Sequence, residues 1–252
     1  MERTIALAYG LLAYAAFLAT ILYAIGFVGN FVVPKSIDSG PVVPAPEAFW
    51  INTLLLGLFA VQHSVMARPA FKSWWTRLVP KPVERSTFVL IASLLVMLLM
   101  WQWRAMPAIV WHIQQPLIRA PLIALSLAGW LLVFYTSFVI DHFDLFGLRQ
   151  VFLYLRNRDY VHPPFMERSV YKLVRHPLMA GFLVAFWVTP TMTAGHLLFA
   201  VLATAYILVG ITLEERDLLS ILGQEYRGYR TRTPMLLPWG RRTTPERSAH
   251  GV

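Results

Sequence analysis

The sequence predicts an all-α, polytopic integral membrane helical bundle, and composition, segment length and charge placement all favour it. Hydrophobic residues make up 57% of the 252 residues and charged residues only 14%, whereas a soluble domain carries about 25% charged residues. The mean hydropathy is +0.56. Several apolar stretches approach the roughly 20 residues that a helix needs to cross the hydrocarbon core.

Six apolar segments are candidate spans, and the last two are expected to form a tight hairpin. The first is too long for a secretory signal peptide and lacks a small-residue cleavage site, so no such peptide is expected. The fifth is short and contains Pro190, and it is expected to turn into the sixth at the sequence TMTAG. The six segments are residues 5–29, 49–67, 86–104, 120–141, 177–193 and 196–213.

Lysine and arginine residues are concentrated in alternate connecting segments. With the N-terminus placed inside, the inside segments hold 19 of the 22 basic residues and the outside segments hold 3. The positive-inside rule therefore predicts that both termini are cytoplasmic. Topology and anionic membrane lipid account for the net charge of +9, so nucleic acid is not an expected partner. No obligate protein partner is evident, and the chain has no cysteine for a disulfide or a thiolate metal site.

Two groups of polar residues flank the predicted hairpin. Arg175 and His176 precede Pro177, which suits the first turn of a helix. A helix N-terminus attracts carboxylate or phosphate, and arginine binds a carboxylate through two hydrogen bonds; ordinary basic flanking of a span is the alternative. Glu214 and Glu215 lie at the inner end of the sixth segment, where adjacent acids are costly unless they face a polar cavity or a cation.

In order along the chain, these features resemble a known superfamily. RHPxxxG, a hairpin, EE, GxxYxxY and a closing proline, over residues 171–238, resemble the C-terminal half of the isoprenylcysteine carboxyl methyltransferase and phospholipid methyltransferase superfamily. Met179 stands where that superfamily often has tyrosine. In the N-terminal half, QHSVMARPAFKSWWTRLVP, ERSTFVLIASLLVMLLMWQWR and DHFDLFGLRQV resemble the bacterial methanethiol S-methyltransferases, which are related to NnrU-like proteins.

The resemblance implies a multi-pass enzyme of the bacterial cytoplasmic (inner) membrane that uses S-adenosyl-L-methionine. Its substrate would be methanethiol, a small volatile thiol, converted to dimethyl sulfide by direct displacement at the cytosolic interface without a metal. We expect one domain, with four spans in residues 1–141, a cofactor region with the hairpin in 142–238, and a disordered tail in 239–252. The residues implied at the cofactor are Arg175, His176, Gly181, Glu214, Glu215, Tyr226 and Tyr229.

Each implied residue has an expected role. Arg175 and His176 would hold the methionyl carboxylate or the ribose region, and the two glutamates would bind ribose hydroxyls or the amino group. Gly181 would permit close approach of the backbone to the cofactor or to another helix. The two tyrosines would shape the pocket.

A third polar group, Asp141, His142 and Asp144, follows the fourth span. Acids at a helix C-terminus are electrostatically misplaced, and a histidine between acids is expected to have a raised pKa. Such a histidine can take a thiol proton, since the thiolate is the nucleophile. A charged turn facing the cytoplasm is the alternative, and the spacing is not diagnostic of a metal site. His63 is expected to make a helix–helix hydrogen bond.

Three other functions remain open at the level of sequence. The chain could methylate a lipid amine or a prenylated cysteine, which needs a lateral opening between helices. Sterol reductases carry a similar C-terminal motif, although no GxGxxG fingerprint occurs in this chain. An NnrU-like accessory protein of the membrane, without enzymatic activity, is the third.

Overall fold

A computed structural model describes residues 2–239 of the chain, and helices dominate it. The predicted tail, residues 239–252, falls outside the described residues from residue 240 onward. The elements are α1 (Arg3–Gly29), α2 (Ala45–Ala67), α3 (Pro69–Trp75), α4 (Lys81–Gln102), β1 (Ile109–His112), α5 (Pro116–Ile140), α6 (His142–Leu145), α7 (Leu148–Leu155), a 3₁₀ turn (Ser169–Lys172), α8 (Pro177–Trp187), β2 (Thr191–Thr193), α9 (Ala194–Leu222) and α10 (Gln224–Arg232).

Five helices within residues 2–239 are long and apolar enough to cross a membrane, namely α1, α2, α4, α5 and α9. They run from 22 to 29 residues with mean hydropathies of 1.4 to 2.2. This confirms an all-α, multi-pass membrane protein. The fifth predicted segment differs, because α8 has only 11 residues and covers about 16 Å. Extended chain then leads into β2, so Pro190 separates a short helix from a strand instead of bending one span.

The last long helix extends further than predicted and carries the two acids within it. Helix α9 continues to Leu222 instead of ending at residue 213. Its 29 residues cover about 44 Å, which exceeds the roughly 30 Å of hydrocarbon. The helix is therefore long enough to extend beyond the hydrocarbon, and its polar C-terminal end carries Glu214 and Glu215. Gly223 then adopts a φ of 57°, a conformation that glycine tolerates, and α10 folds back toward the start of α8.

Opposite that end, a short antiparallel ribbon joins β1 to β2. Ile109 pairs with Thr193 and His112 with Thr191, with a bulge between. The Thr193 hydroxyl caps α9 by accepting a hydrogen bond from the backbone N–H of His196 at 3.1 Å. The ribbon fixes the α8–α9 connection at the end of the molecule remote from the glutamates.

Helices α5 and α8 cross at very close range through a pair of glycines. A Cβ atom added to Gly181 would lie 2.8 Å from the Gly129 carbonyl oxygen and 2.9 Å from Val133 Cγ2. Small residues of this kind allow helix backbones to approach in a membrane. The buried core beside this contact contains Trp103, Trp130 and Phe186.

Candidate active site

A buried acid with three basic neighbours lies where α8 begins and α9 ends. Arg175 Nε donates a hydrogen bond to Glu215 Oε1 at 2.8 Å, and these side chains are only 9% and 8% exposed. His176 Nε2 lies 3.1 Å from the same oxygen. Arg230 Nε, from α10, lies 3.3 Å from Glu215 Oε2. The cost of burying the acid at the membrane boundary is thus offset by cationic partners from the protein itself.

Backbone contacts join the RHP sequence to the closing TPMLLP sequence. The guanidinium of Arg175 donates to the carbonyl oxygens of Arg230, at 3.1 Å, and of Thr233. The backbone N–H of Arg175 donates to Pro234 O at 2.9 Å, and that of His176 donates to Met235 O at 3.1 Å. Arg175 therefore holds the chain after α10 against the N-terminus of α8, which explains why the two motifs occur together.

Glu214 has a different environment from its neighbour. Its side chain is 49% exposed, and His176 Nδ1 lies 3.7 Å from Glu214 Oε2. Of the two acids, Glu214 is therefore the one with the more accessible carboxylate.

Tyr226 and Tyr229 form the floor beneath this cluster and are both buried. The Tyr229 hydroxyl donates to the backbone oxygen of Tyr171 at 2.6 Å, and both rings pack on Phe165. Burial raises the pKa of Tyr226 to about 12, and the charge of Glu215 adds to the rise. Tyr226 is consequently a neutral phenol throughout the physiological pH range, and both rings shape the cluster.

The structure places Gly181 against a neighbouring helix. Its α-carbon faces the Gly129 carbonyl of α5. Of the two roles expected for this glycine, close approach to a helix is the one that the contacts display.

His142 lies in a tight cage between α1 and α5 and is only 3% exposed. Its Nε2 is 2.9 Å from the Tyr14 hydroxyl and its Nδ1 is 2.8 Å from Ser137 Oγ. Its ring stacks on Phe138 at 4.2 Å between centroids. Both ring nitrogens therefore have partners from the protein, and these contacts favour a positioning role.

The expected rise in the pKa of His142 was wrong. Burial lowers the pKa of His142, and the opposing charge of Asp141 is not enough to reverse the effect. The Asp141 carboxylate is engaged elsewhere, since it accepts from Arg149 Nη1 at 2.7 Å and from the backbone N–H of Asp144 at 3.2 Å.

Asp144 is likewise held by local contacts. Its carboxylate accepts from the Tyr160 hydroxyl at 3.1 Å and from Gln150 Nε2 at 3.4 Å. Within residues 2–239, no direct hydrogen bond or ion pair joins Asp141, His142 or Asp144 to Glu215. The structure thus brings the predicted cofactor residues together, apart from Gly181, but not the predicted thiol-activating group with them.

The sequence did not reveal a group of charged side chains on α2, α3, α4 and α9 that interact with one another. Arg68 Nη1 binds Asp217 Oδ2 at 2.7 Å and so joins α2 to α9. Burial lowers the pKa of Lys72, as does the charge of Arg85, while Glu84 and Asp217 oppose the shift. Hydropathy does not reveal this group, because α4 begins at Lys81, before the apolar stretch starts.

Comparison with known proteins supplies the family. The chain is 56% identical to Methanethiol S-methyltransferase 1 of Bradyrhizobium diazoefficiens over 239 residues, covering 95% of this chain and 84% of that protein. It is 54% identical to the Methanethiol S-methyltransferase of Mycobacterium tuberculosis, over 97% and 100% of the two chains. Nurim of Rattus norvegicus is 33% identical over 71% of this chain and 70% of its own length.

The other two comparisons give no match, since neither a family model nor a solved structure matches the chain. The two methanethiol S-methyltransferases match over nearly the whole chain, including the N-terminal helices and the α8–α10 cluster. The chain belongs to the methanethiol S-methyltransferase family.

Proposed function

We propose that this protein transfers a methyl group from S-adenosyl-L-methionine to the sulfur of methanethiol, which yields dimethyl sulfide. The observation that carries the proposal is the similarity to six relatives named methanethiol S-methyltransferase, at 48–56% identity over at least 92% of this chain. The cluster around Glu215 supports it by providing a polar site at the membrane boundary.

The residues of the cluster fit such a cofactor. The exposed Glu214 carboxylate accepts hydrogen bonds, which an amino acid ammonium or ribose hydroxyls donate. Beside it, the buried Arg175–Glu215 pair fixes the backbone at the start of α8. When bound, the cofactor supplies an electrophilic methyl group on a positively charged sulfur.

The chain itself then has to position the two reactants, exclude water from the site and accept the proton of the thiol. Arg175, His176 and Glu215 hold the walls of the site, while Tyr226 and Tyr229 keep its floor rigid and neutral. Accurate positioning of two reactants contributes as much as about 7–11 kcal/mol to lowering a barrier. His142 acts as a positioning residue, because its contacts with Tyr14 and Ser137 hold α6 against α1 and α5.

The location suits the two substrates. A small apolar thiol partitions through the bilayer, whereas a charged cofactor arrives from the cytosol. A site at the inner end of α9, in the bacterial inner membrane with both termini cytoplasmic, is reached from both phases.

The experiment that tests the proposal uses the protein purified in detergent. Cofactor and methanethiol are supplied, and dimethyl sulfide is measured in the headspace by gas chromatography. We expect product from the wild type and a strongly reduced yield from Glu214→Gln. Methylation of added phospholipid or prenylcysteine in place of the thiol would favour a bulky-substrate enzyme. An absence of cofactor binding would favour a reductase or an accessory protein.

A further inference from the structure

His63, on α2, is a buried polar group that the proposed function leaves without a task. Its Nδ1 is buried and has no hydrogen-bond partner among residues 2–239. The expected helix–helix hydrogen bond to this atom is thus absent from the described part of the chain. A buried polar atom without a partner costs about 1–3 kcal/mol, so a water molecule or a ligand is expected at this atom.

Aromatic rings from three helices surround this imidazole. The ring centroids of Phe59 and Phe88 lie 5.2 Å and 4.8 Å from that of His63. Tyr206, on α9, meets it edge-on at 6.4 Å. Aromatic rings make favourable contacts with sulfur and with a methyl group, so the cage suits a small thioether or thiol and not a strongly hydrated molecule.

Other unpartnered polar atoms lie on the same side of the molecule. Among the described residues, seven buried side-chain atoms lack partners, and Gln62 Oε1, Trp75 Nε1, Glu84 Oε1 and Gln150 Oε1 accompany His63 toward the inner ends of the helices. Such atoms are rare in folded proteins unless water or a ligand pairs with them. Water or polar ligand atoms are therefore expected near the inner ends of these helices.

The cage lies on the membrane side of the Glu214 cluster and shares helix α9 with it. Tyr206 precedes Glu214 by eight residues along α9, a rise of about 12 Å. The Arg68–Asp217 ion pair holds α2 to α9 between the cage and the inner end. A thiol that enters from the bilayer thus meets the cage before it reaches the charged boundary where the cofactor would bind.

We propose that His63 is the catalytic base for the thiol, acting within the cage of Phe59, Phe88 and Tyr206. This inference rests on the proposed methyl transfer. The proton of the S–H bond passes to His63 Nδ1, and the sulfur lone pair forms a bond to the methyl carbon. The bond from that carbon to the sulfonium breaks, its electron pair stays on the departing sulfur, and His63 later releases the proton to solvent.

The contacts favour His63 over the other histidines near the site. Both nitrogens of His142 have partners, Tyr14 and Ser137. His176 Nε2 is bound to the Glu215 carboxylate. His63 alone of the three combines an unpartnered buried ring nitrogen with aromatic neighbours on several helices. The Arg85 guanidinium lies over one of these rings, Phe88, at 4.9 Å from its centroid.

The test compares His63→Gln and His63→Asn with the wild type in detergent, from pH 6 to pH 9. Cofactor affinity is measured by calorimetry, folding by the thermal midpoint, and turnover by dimethyl sulfide release. We expect cofactor affinity within about twofold of wild type and turnover at neutral pH reduced by about 10²–10⁴-fold, the usual effect of losing a general base. The deficit should shrink as pH rises, because free thiolate grows about tenfold per pH unit below the pKa of the thiol.

The matched control is His112→Gln, on the remote ribbon, where the exposed imidazole contacts Thr191 Oγ1 at 2.9 Å; its turnover should equal wild type. A pH-independent loss in both His63 variants, or loss of the thermal midpoint and of cofactor binding together, would overturn the proposal in favour of packing. So would full activity in either variant. Failure of the wild type itself to release dimethyl sulfide would refute the proposed function instead.

Discussion

Arg175 and Glu215 show how a buried charge pair organises this site. Each side chain is less than one-tenth exposed, and Arg175 also donates to the carbonyl oxygens of Arg230, in α10, and of Thr233, just after it. Breaking a buried pair costs up to about 3–5 kcal/mol, of which His176 and Arg230 offset a part because both also contact Glu215. Loss of cofactor binding in an Arg175 variant would therefore report folding as much as recognition.

The accessible acid gives a cleaner variant. Glu214→Gln keeps the shape of a half-exposed side chain and removes its charge. Cofactor affinity should fall by about 1–3 kcal/mol, the scale of a charged hydrogen bond, with little change in thermal midpoint. Arg175→Ala should instead lower the thermal midpoint clearly. Calorimetry and a thermal scan in detergent separate the two, and wild-type affinity in Glu214→Gln would remove this acid from the site.

His142 should make stability depend on acidity. Burial lowers the pKa of His142 below its usual 6.5, so the unfolded state binds more protons than the folded state. The contribution of the neutral ring is complete above about pH 6.5 and is lost as pH falls toward the lowered pKa. We expect the thermal midpoint to drop between pH 7.5 and pH 5.5, and His142→Asn to flatten that slope. Parallel slopes for the two proteins would contradict the assignment.

At the scale of elements, hydropathy predicted the long helices well and their polar ends poorly. The apolar part of α9 was recognised, but hydropathy does not show how far the helix continues through EERDLLSIL, because the charges end the hydropathy signal. Helix propensity and partners such as Arg68 carry the helix on to Leu222. The β1–β2 ribbon was missed because strands of four and three residues show no alternation to detect.

At the candidate site, too, the sequence predicted which residues lie together but not how each side chain is oriented. RHP, EE and the two tyrosines were predicted together, and the structure brings them together at Glu215. Which acid points inward depends on the roughly 100° between successive helix positions and on the rotation of α9. That rotation cannot be inferred from one sequence alone, because it depends on how α9 packs against the other helices. The cage around His63 joins α2, α4 and α9, which are far apart along the chain.

The crossing of α5 and α8 depends on the absence of side chains. Gly181→Ala would place a Cβ 2.8 Å from the Gly129 carbonyl, which is fixed backbone. Overpacking of this kind costs about 1–3 kcal/mol, so the thermal midpoint should fall. The control is Gly210→Ala in α9, where an added Cβ meets nothing within 4 Å and helix propensity favours alanine. An unchanged thermal midpoint in Gly181→Ala would show that α5 and α8 can move apart without loss of stability.

At the scale of the whole molecule, the distribution of basic residues predicts that both termini are cytoplasmic. Five long helices alone would leave the termini on opposite sides. The α8 helix and the extended chain up to Thr193 have a combined contour of about 36 Å, which is sufficient for a sixth crossing. A cytoplasmic reporter fused after Val252 should be active and a periplasmic reporter inactive. The reverse pattern of reporter activity would contradict a cytoplasmic C-terminus and the proposed entry of the cofactor from the cytosol.

The proposed reaction transfers the methyl group of the cofactor to the sulfur of methanethiol, whose own methyl group stays in place. Purified protein, S-adenosyl-L-methionine carrying a trideuterated methyl group, and unlabelled methanethiol are combined, and the headspace is examined by mass spectrometry. We expect dimethyl sulfide that carries one labelled and one unlabelled methyl group, together with an equal amount of S-adenosylhomocysteine. Unlabelled product, no product, or label found only in lipid would contradict it.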